Sequence, residues 1–314
     1  MILGWYLSKI GILGINNRNA NFTLKYNSRR FYPLVDDKLK TKQLAIKEGI
    51  SVPELYGVVE IERQIRDLPA FLERYSDFVI KPSKGSSGNG ILVISGRAKA
   101  MYRKANGLLI NTEELCHHVS NILGGMYSLG GQTDKALIEY RVEFDPIFDG
   151  ISYLGVPDIR IIVFLGVPVM AMVRLPTKAS DGKANLHQGA VGTGIDMATG
   201  KTLSAVWHND IVDEHPDTGN PVTGFVIKDW DIMLRLAAHC YELTGLGYQG
   251  VDIVLDRNKG PMILELNARP GLNIQIANQI GLLNRLKIVE DNARNLTSLD
   301  DRIAFTKIWF RTSN

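Results

Sequence analysis

The chain has 314 residues, 45% apolar and 22% charged, so it can bury a sizeable core and is not a disordered polymer. At roughly 150 residues per domain, this length corresponds to about two units. The formal charge is only +3, which argues against a dedicated nucleic-acid binder and against a polybasic membrane anchor.

Taken in order, residues 1–15 lack a basic start and a small-x-small cleavage site, so no signal peptide is expected. Residues 16–35 are polar and read as irregular. A helix is predicted from Asp36 or Asp37, carrying Leu39, Leu44, Ala45 and Ile46 and ending at Gly49, with Pro53 beyond it. A second helix covers about 60–76, allowing for Pro69. Residues 78–81 form a strand, then come a Ser/Gly loop and a strand over 91–94. A helix over about 112–127 precedes a strand over 136–144. Residues 158–165 and 169–175 pair as a hairpin around Gly166-Val167-Pro168.

The segment 176–224 is long for a loop and rich in Gly, Asp, Asn, Thr and His, which favours a functional segment. Trp230, Met233, Leu234, Ala237 and Tyr241 recur at helical spacing as a core stripe. Residues 251–255 and 262–266 form another hairpin, and a C-terminal helix runs from about 274 to 291. So many hairpins favour an α+β fold with antiparallel sheets.

The two cysteines, Cys116 and Cys240, have no metal spacing and read as core thiols. A disulfide scaffold is excluded, which fits a cytoplasmic location. The longest apolar run, 161–173, falls short of the ~20 residues that span a bilayer. Two motifs are decoys. Gly245-Leu246-Gly247-Tyr248-Gln249-Gly250 matches GxGxxG but follows a helix, the reverse of the dinucleotide fingerprint. Thr199-Gly200-Lys201-Thr202 lacks the earlier glycine of a P-loop and reads as a hairpin turn.

Three signals carry chemistry. Lys81 ends a strand before Pro82-Ser83-Lys84-Gly85-Ser86-Ser87-Gly88-Asn89-Gly90, whose backbone N–H groups can fold over phosphates beside a fixed positive charge. Glu265 and Asn267 share one face of a strand, because side chains alternate. If Asp256 pairs with Pro261, Asp252 sits opposite Glu265. Two facing carboxylates repel unless a cation lies between them, and hard oxygen donors suit Mg²⁺ or Mn²⁺. Arg160 and Arg174 fall on the two arms of one hairpin and could hold phosphate or carboxylate oxygens; surface arginines are the plainer alternative.

Together with Asp158-Ile159-Arg160, Asn185-Leu186-His187 and Glu265-Leu266-Asn267, these motifs resemble the ATP-grasp superfamily over about residues 36–290. Within it the chain is similar to alpha-L-glutamate ligases that modify ribosomal protein tails. The stretch from Trp207-His208 through His215-Pro216-Asp217 looks more like a sugar-transfer-associated ATP-grasp group. The resemblance implies two α+β lobes with antiparallel sheets sandwiching ATP: 36–135 with the lid at 83–90, and 136–314 with the metal site. Residues 1–35 stand where such ligases usually carry a complete leading domain.

By matching position, Lys38 and Lys81 would be the ATP lysines, with Gly85, Ser86, Ser87 and Gly88 in the lid. Glu139 and Tyr140 would form the adenine hinge, and Asp158 would face the ribose. Arg160, Arg174 and Asn185 would serve the transferring phosphoryl group. Asp252, Glu265 and Asn267 would hold two Mg²⁺. His187, Gln188, His208, Arg269 and Asn273 are candidate substrate contacts, and His215 is weighed with them.

The implied reaction joins an amino-acid or peptide carboxylate to an amine through an acyl phosphate, releasing ADP and phosphate. The alternatives are an ATP-binding regulator without turnover and an enzyme acting on a sugar-linked acceptor. No nucleic-acid partner and no transmembrane segment are expected, and a homo-oligomer stays open.

Overall fold

A computed structural model describes the protein over residues 9–85 and 88–312, with backbone alone at Leu129. Contacts divide the chain into two units, which the following paragraphs take separately.

The smaller unit comprises residues 37–42 and 52–143. Its sheet has strands β1 (Leu55–Val59), β2 (Phe78–Pro82), β3 (Leu92–Ala98), β4 (Met101–Lys104), β5 (Leu109–Ile110) and β6 (Ala136–Glu139), in the order β1-β6-β2-β3-β4-β5, all antiparallel. Helix α1 (Lys38–Lys47) begins in this unit, with Asp37 Oδ1 accepting from Leu39 N at 3.0 Å. This fits the predicted start. Helix α2 (Thr112–Leu123) opens with a reciprocal cap between Asn111 and Glu114. It buries Leu115, Val119, Ile122 and Leu123 at helical spacing, against Phe78, Ile80, Ile94 and Ile138 of the sheet.

The predicted helix over 60–76 is two short pieces, a 3-10 turn Glu62–Arg66 and an α-helix Leu68–Leu72. Pro69 sits in the first turn of the second piece, where a missing N–H costs nothing. The strand expected over 136–144 ends at Glu139.

The larger unit holds the described parts of residues 1–36, 43–51 and 144–314. Its sheet runs β11 (Asp210–Val212), β10 (Thr202–Trp207), β9 (Val191–Ile195), β8 (Val167–Leu175), β7 (Asp158–Phe164), β12 (Tyr248–Asp256), β13 (Gly260–Asn267), again antiparallel throughout. The β7–β8 turn is tighter than expected. Leu165 (φ +49°) and Gly166 (φ +79°) form a two-residue turn, and Val167 already pairs with Phe164. The segment 176–224, expected as a long loop, contributes three strands to one side of the sheet. Glycine and threonine in β9 hid it, because they leave little apolar alternation to read, although β10 pairs back on it across the Gly200 turn.

Helix α3 (Trp230–Thr244) buries Trp230, Met233, Leu234 and Ala237 and packs on β7, β8, β12 and β13. The single helix expected over 274–291 is α4 (Ile274–Asn278) and α5 (Leu283–Asn292). The break lies at Gly281, where a Cβ would fall 2.1 Å from the Gly11 carbonyl oxygen, so the chain can cross only at glycine. A further helix, α6 (Leu299–Trp309), follows a Ser298–Asp301 cap.

Residues 15–26, expected to be irregular, form a continuous helical stretch with a π-helical centre at Arg18–Thr23. It buries Arg18, Phe22, Thr23 and, just beyond it, Asn27. Two of these are strongly polar, so no apolar periodicity marks the helix. Both decoys are structural. Gly245 caps α3 with φ +68°, and Gly200 (φ +74°) turns the chain between β9 and β10. Both cysteines are free thiols, Cys240 buried and Cys116 half-buried. Among the described residues, no helix is long and apolar enough to cross a membrane.

Candidate active site

In the smaller unit, β2 and β6 pair with Val79 opposite Glu139 and Lys81 opposite Leu137. Alternation therefore puts Lys81 and Glu139 on one face. Lys81 Nζ lies 2.5 Å from Glu139 Oε1, and Lys42 Nζ of α1 lies 2.7 Å from Oε2. Lys42 also donates to the Pro53 carbonyl. All three side chains are at most 5% exposed. Burial pushes the Lys42 ammonium down to about 8. Burial pushes the Glu139 carboxyl up, but Lys81 and Lys42 outweigh it and the net direction is down. Two cations around one anion leave this pocket with a surplus positive charge.

The Ser/Gly loop is tied at its ends. Lys38 Nζ donates to the Gly85 carbonyl at 2.5 Å, and Lys84 N donates to Asp134 Oδ2 at 2.9 Å. His118 Nε2 lies 3.0 Å from the Gly90 carbonyl, so it is the protonated ring nitrogen. Gly88 and Gly90 have φ of +74° and +75°, and a Cβ on Gly90 would fall 2.5 Å from the Tyr127 ring. Ser86 and Ser87 lie outside the described residues. Tyr140 N donates to the Glu54 carbonyl at 2.9 Å.

In the larger unit, four strands present charged side chains on one face. Asp158 pairs across with Arg174, Arg160 with Asp252, and Asp252 with Glu265. Arg160 donates to both Asp252 oxygens, at 2.7 and 2.6 Å, and Arg174 to both Asp158 oxygens, at 2.5 and 2.6 Å. Arg174 Nη2 also reaches Asp252 Oδ2 at 2.9 Å, which makes one network. Asn267 Nδ2 lies 3.3 Å from the same oxygen. Burial drives the Asp252 carboxyl up, but Arg160 and Arg174 outweigh it and hold it down at about 2. Burial dominates at Asp158 and pushes it up to about 6.

Asp252 faces Glu265 by a route different from the expected one. Asp256 pairs with Gly260, not Pro261, and a bulge between Asp252 and Ile253 restores the register, leaving Leu264 as the extra residue. Asp252, Glu265 and Asn267 are two carboxylates and an amide on adjoining strands, a donor set that suits a hard divalent cation. Among the described residues, no three His, Cys, Asp or Glu side chains gather as a metal cluster, so any such ion would rely on the amide and on ligands from outside the protein.

A second group gathers elsewhere in this unit. Asn185 Oδ1 accepts from His187 N at 3.0 Å and caps the turn Leu186–Gln188. The Gly189 carbonyl accepts from Thr177 Oγ1 at 2.7 Å and from Trp207 Nε1 at 2.9 Å. The His208 ring lies 4.7 Å from that of Trp207, so Asn185, His187, Gln188 and His208 share one pair of loops. His215 is different: it is buried, its Nε2 lies 3.0 Å from the Pro176 carbonyl, and its Nδ1 accepts from Asp217 N. Both ring nitrogens are spent on the loop, a structural role. Arg269 stacks over the Tyr32 ring at 5.2 Å, and Asn273 opens α4.

Sequence reasoning missed Lys42. The signal was its place one helical turn after Lys38, on the same helix.

The antiparallel sheets and their helices form an α+β fold of the ATP-grasp class. More narrowly, the chain belongs to the sugar-transfer associated ATP-grasp family, whose model matches residues 17–291. It is similar to a probable alpha-L-glutamate ligase 1 of Shewanella denitrificans, 23% identical over 266 residues, covering 83% of this chain and 67% of that one. A probable alpha-L-glutamate ligase of Azotobacter vinelandii is 25% identical over 236 residues, covering 75% of this chain and 56% of the relative. Among solved structures, the D-alanine-D-alanine ligase of Coxiella burnetii aligns at 13% identity and a TM-score of 0.47, covering 88% of this chain and 60% of that one.

Proposed function

We propose that the protein is a Mg-ATP-dependent carboxylate–amine ligase, acting in the cytoplasm and joining glutamate or another amino acid to an amine through an acyl phosphate. The observation that carries this reading is the face where Arg160, Arg174, Asp252, Glu265 and Asn267 stand together. In the smaller unit, Lys81, Lys42 and Lys38 would bind nucleotide phosphates, and the backbone of 88–90 would donate N–H groups to them. Glu139 orients the two buried lysines, so recognition of adenine would fall to the backbone at 139–140.

In the larger unit, Asp252, Glu265 and Asn267 would hold Mg²⁺, which neutralises phosphate charge when bound. Asp158 would hold Arg174 in position, and the two guanidiniums would stabilise the transferring phosphoryl group. The carboxylate oxygen attacks the γ-phosphorus and ADP leaves. The amine nitrogen then attacks the acyl carbon, the C–O bond to phosphate breaks, and the amine loses a proton to solvent or phosphate. No protein nucleophile is needed, so catalysis is positioning and electrostatics.

A second reading, an acceptor carried on a sugar, is favoured by the description of the matched family. The test is ADP release by the purified chain. Release should require both a carboxylate and an amine and should vanish in Glu265→Ala with the fold intact. Turnover that survives in Glu265→Ala would sink the reading, and mass spectrometry of the product separates the two acceptors.

A further inference from the structure

The stretch 15–36 is built into the larger unit beside the end of β13. Asn27, buried, behaves like a piece of strand: its Oδ1 accepts from Tyr248 N at 2.8 Å, and its Nδ2 donates to the carbonyls of Tyr248 at 2.7 Å and Ala268 at 3.2 Å. Arg18, also buried, donates to the Pro270 carbonyl at 2.7 Å. A Cβ on Gly250 would meet Pro270 at 2.7 Å, so the loop after Asn267 lies tightly on β12. That loop is therefore fixed from both sides, and with it the backbone of Arg269.

Arg269 is exposed, stacks on Tyr32 and makes no ion pair among the described residues. The Tyr32 hydroxyl is buried and has no hydrogen-bond partner. Arg29 and Arg30, exposed on the turn just before Tyr32, likewise have no carboxylate partner among the described residues. An unsatisfied buried hydroxyl carries a free-energy cost unless something outside the chain accepts from it. A guanidinium stacked on an aromatic ring keeps its N–H fork open for two oxygens.

We infer that Tyr32 and Arg269 form a subsite for an anionic group of the acceptor, a phosphate or a carboxylate, with Arg29 and Arg30 adding positive charge. That the anion belongs to an acceptor rests on the ligase reading; the anion chemistry does not depend on it. Residues 29–32 then take part in substrate recognition.

The experiment titrates inorganic phosphate, and separately acetate, into the full chain saturated with ADP and Mg²⁺ at fixed ionic strength, followed by protein-observed NMR. At least one anion should bind saturably, about tenfold more weakly in Arg269→Gln and about threefold more weakly in Tyr32→Phe, with ADP affinity unchanged. A preference for phosphate identifies a phosphorylated acceptor, and a preference for acetate a carboxylate one. Absence of saturable binding, or equal affinity in wild type and both variants, overturns the subsite. If ADP itself does not bind, the ligase reading fails, and the same titration of nucleotide-free protein still decides the subsite.

Discussion

Two charged clusters lie buried in this molecule, and they are balanced differently. In the smaller unit, Lys42 and Lys81 share the single carboxylate of Glu139, which leaves a surplus cation. In the larger unit, Arg160 and Arg174 meet Asp158 and Asp252 one for one, with every carboxylate oxygen bonded. A site short of anions can take one up with little rearrangement. A site already neutral must open a bond first, so it gives up order in exchange for a ligand. On the proposed ligase reading, the first cluster would bind phosphate in the ground state. On the same reading, the second would hold its guanidiniums still until the reacting charge develops.

The sharpest way to break this contrast is Asp252→Ala. It strands Arg160 while Arg174 keeps Asp158, and removing one partner of a buried pair should cost about 3–5 kcal/mol in denaturant unfolding. A loss below about 1 kcal/mol would show that the balanced network does not depend on this carboxylate.

The next largest effect tests the surplus cation through pH. The folded pKa of Lys42 is lowered from 10.5 to about 8, so between those values the unfolded chain binds more protons. Stability should rise with pH across that window, with a total on the order of 3 kcal/mol, and the full penalty should remain below about pH 8. Lys42→Met should flatten the slope in urea melts at stepped pH. An unchanged slope would place the titration elsewhere. The smallest effect sets a neutral baseline. Trp207→Phe removes one donor from the Gly189 carbonyl, which keeps Thr177, and should cost about 1 kcal/mol.

Much of the larger sheet was legible because its hairpins are local. The arms around Gly166 and around Asn258 alternate or run apolar, and their turns carry glycine and asparagine. Arg160 and Arg174 could be placed on the two arms of one hairpin, and Asp252 opposite Glu265 on another, for the same reason. The helical stretch 15–26 was not legible. Its buried face includes Arg18 and ends at Asn27, and their partners at 268–270 and 248 lie more than 200 residues away. The strand pairing of β9 with β8 and the convergence of Lys42 on Glu139 were hidden in the same way. Each is a long-range contact between residues whose neighbours give no periodic sign of it.

The bulge at Leu264 has a consequence for how this hairpin tolerates change. The turn at Arg257–Lys259 lies on one side of it and the Asp252–Glu265 pair on the other. Without a bulge, a one-residue slip in the turn would carry through the ladder and turn the acidic side chains to the opposite face. With it, slack in the loop is taken up before the ladder reaches the carboxylates. Length variation in that turn is thereby insulated from the register that sets Asp252 against Glu265.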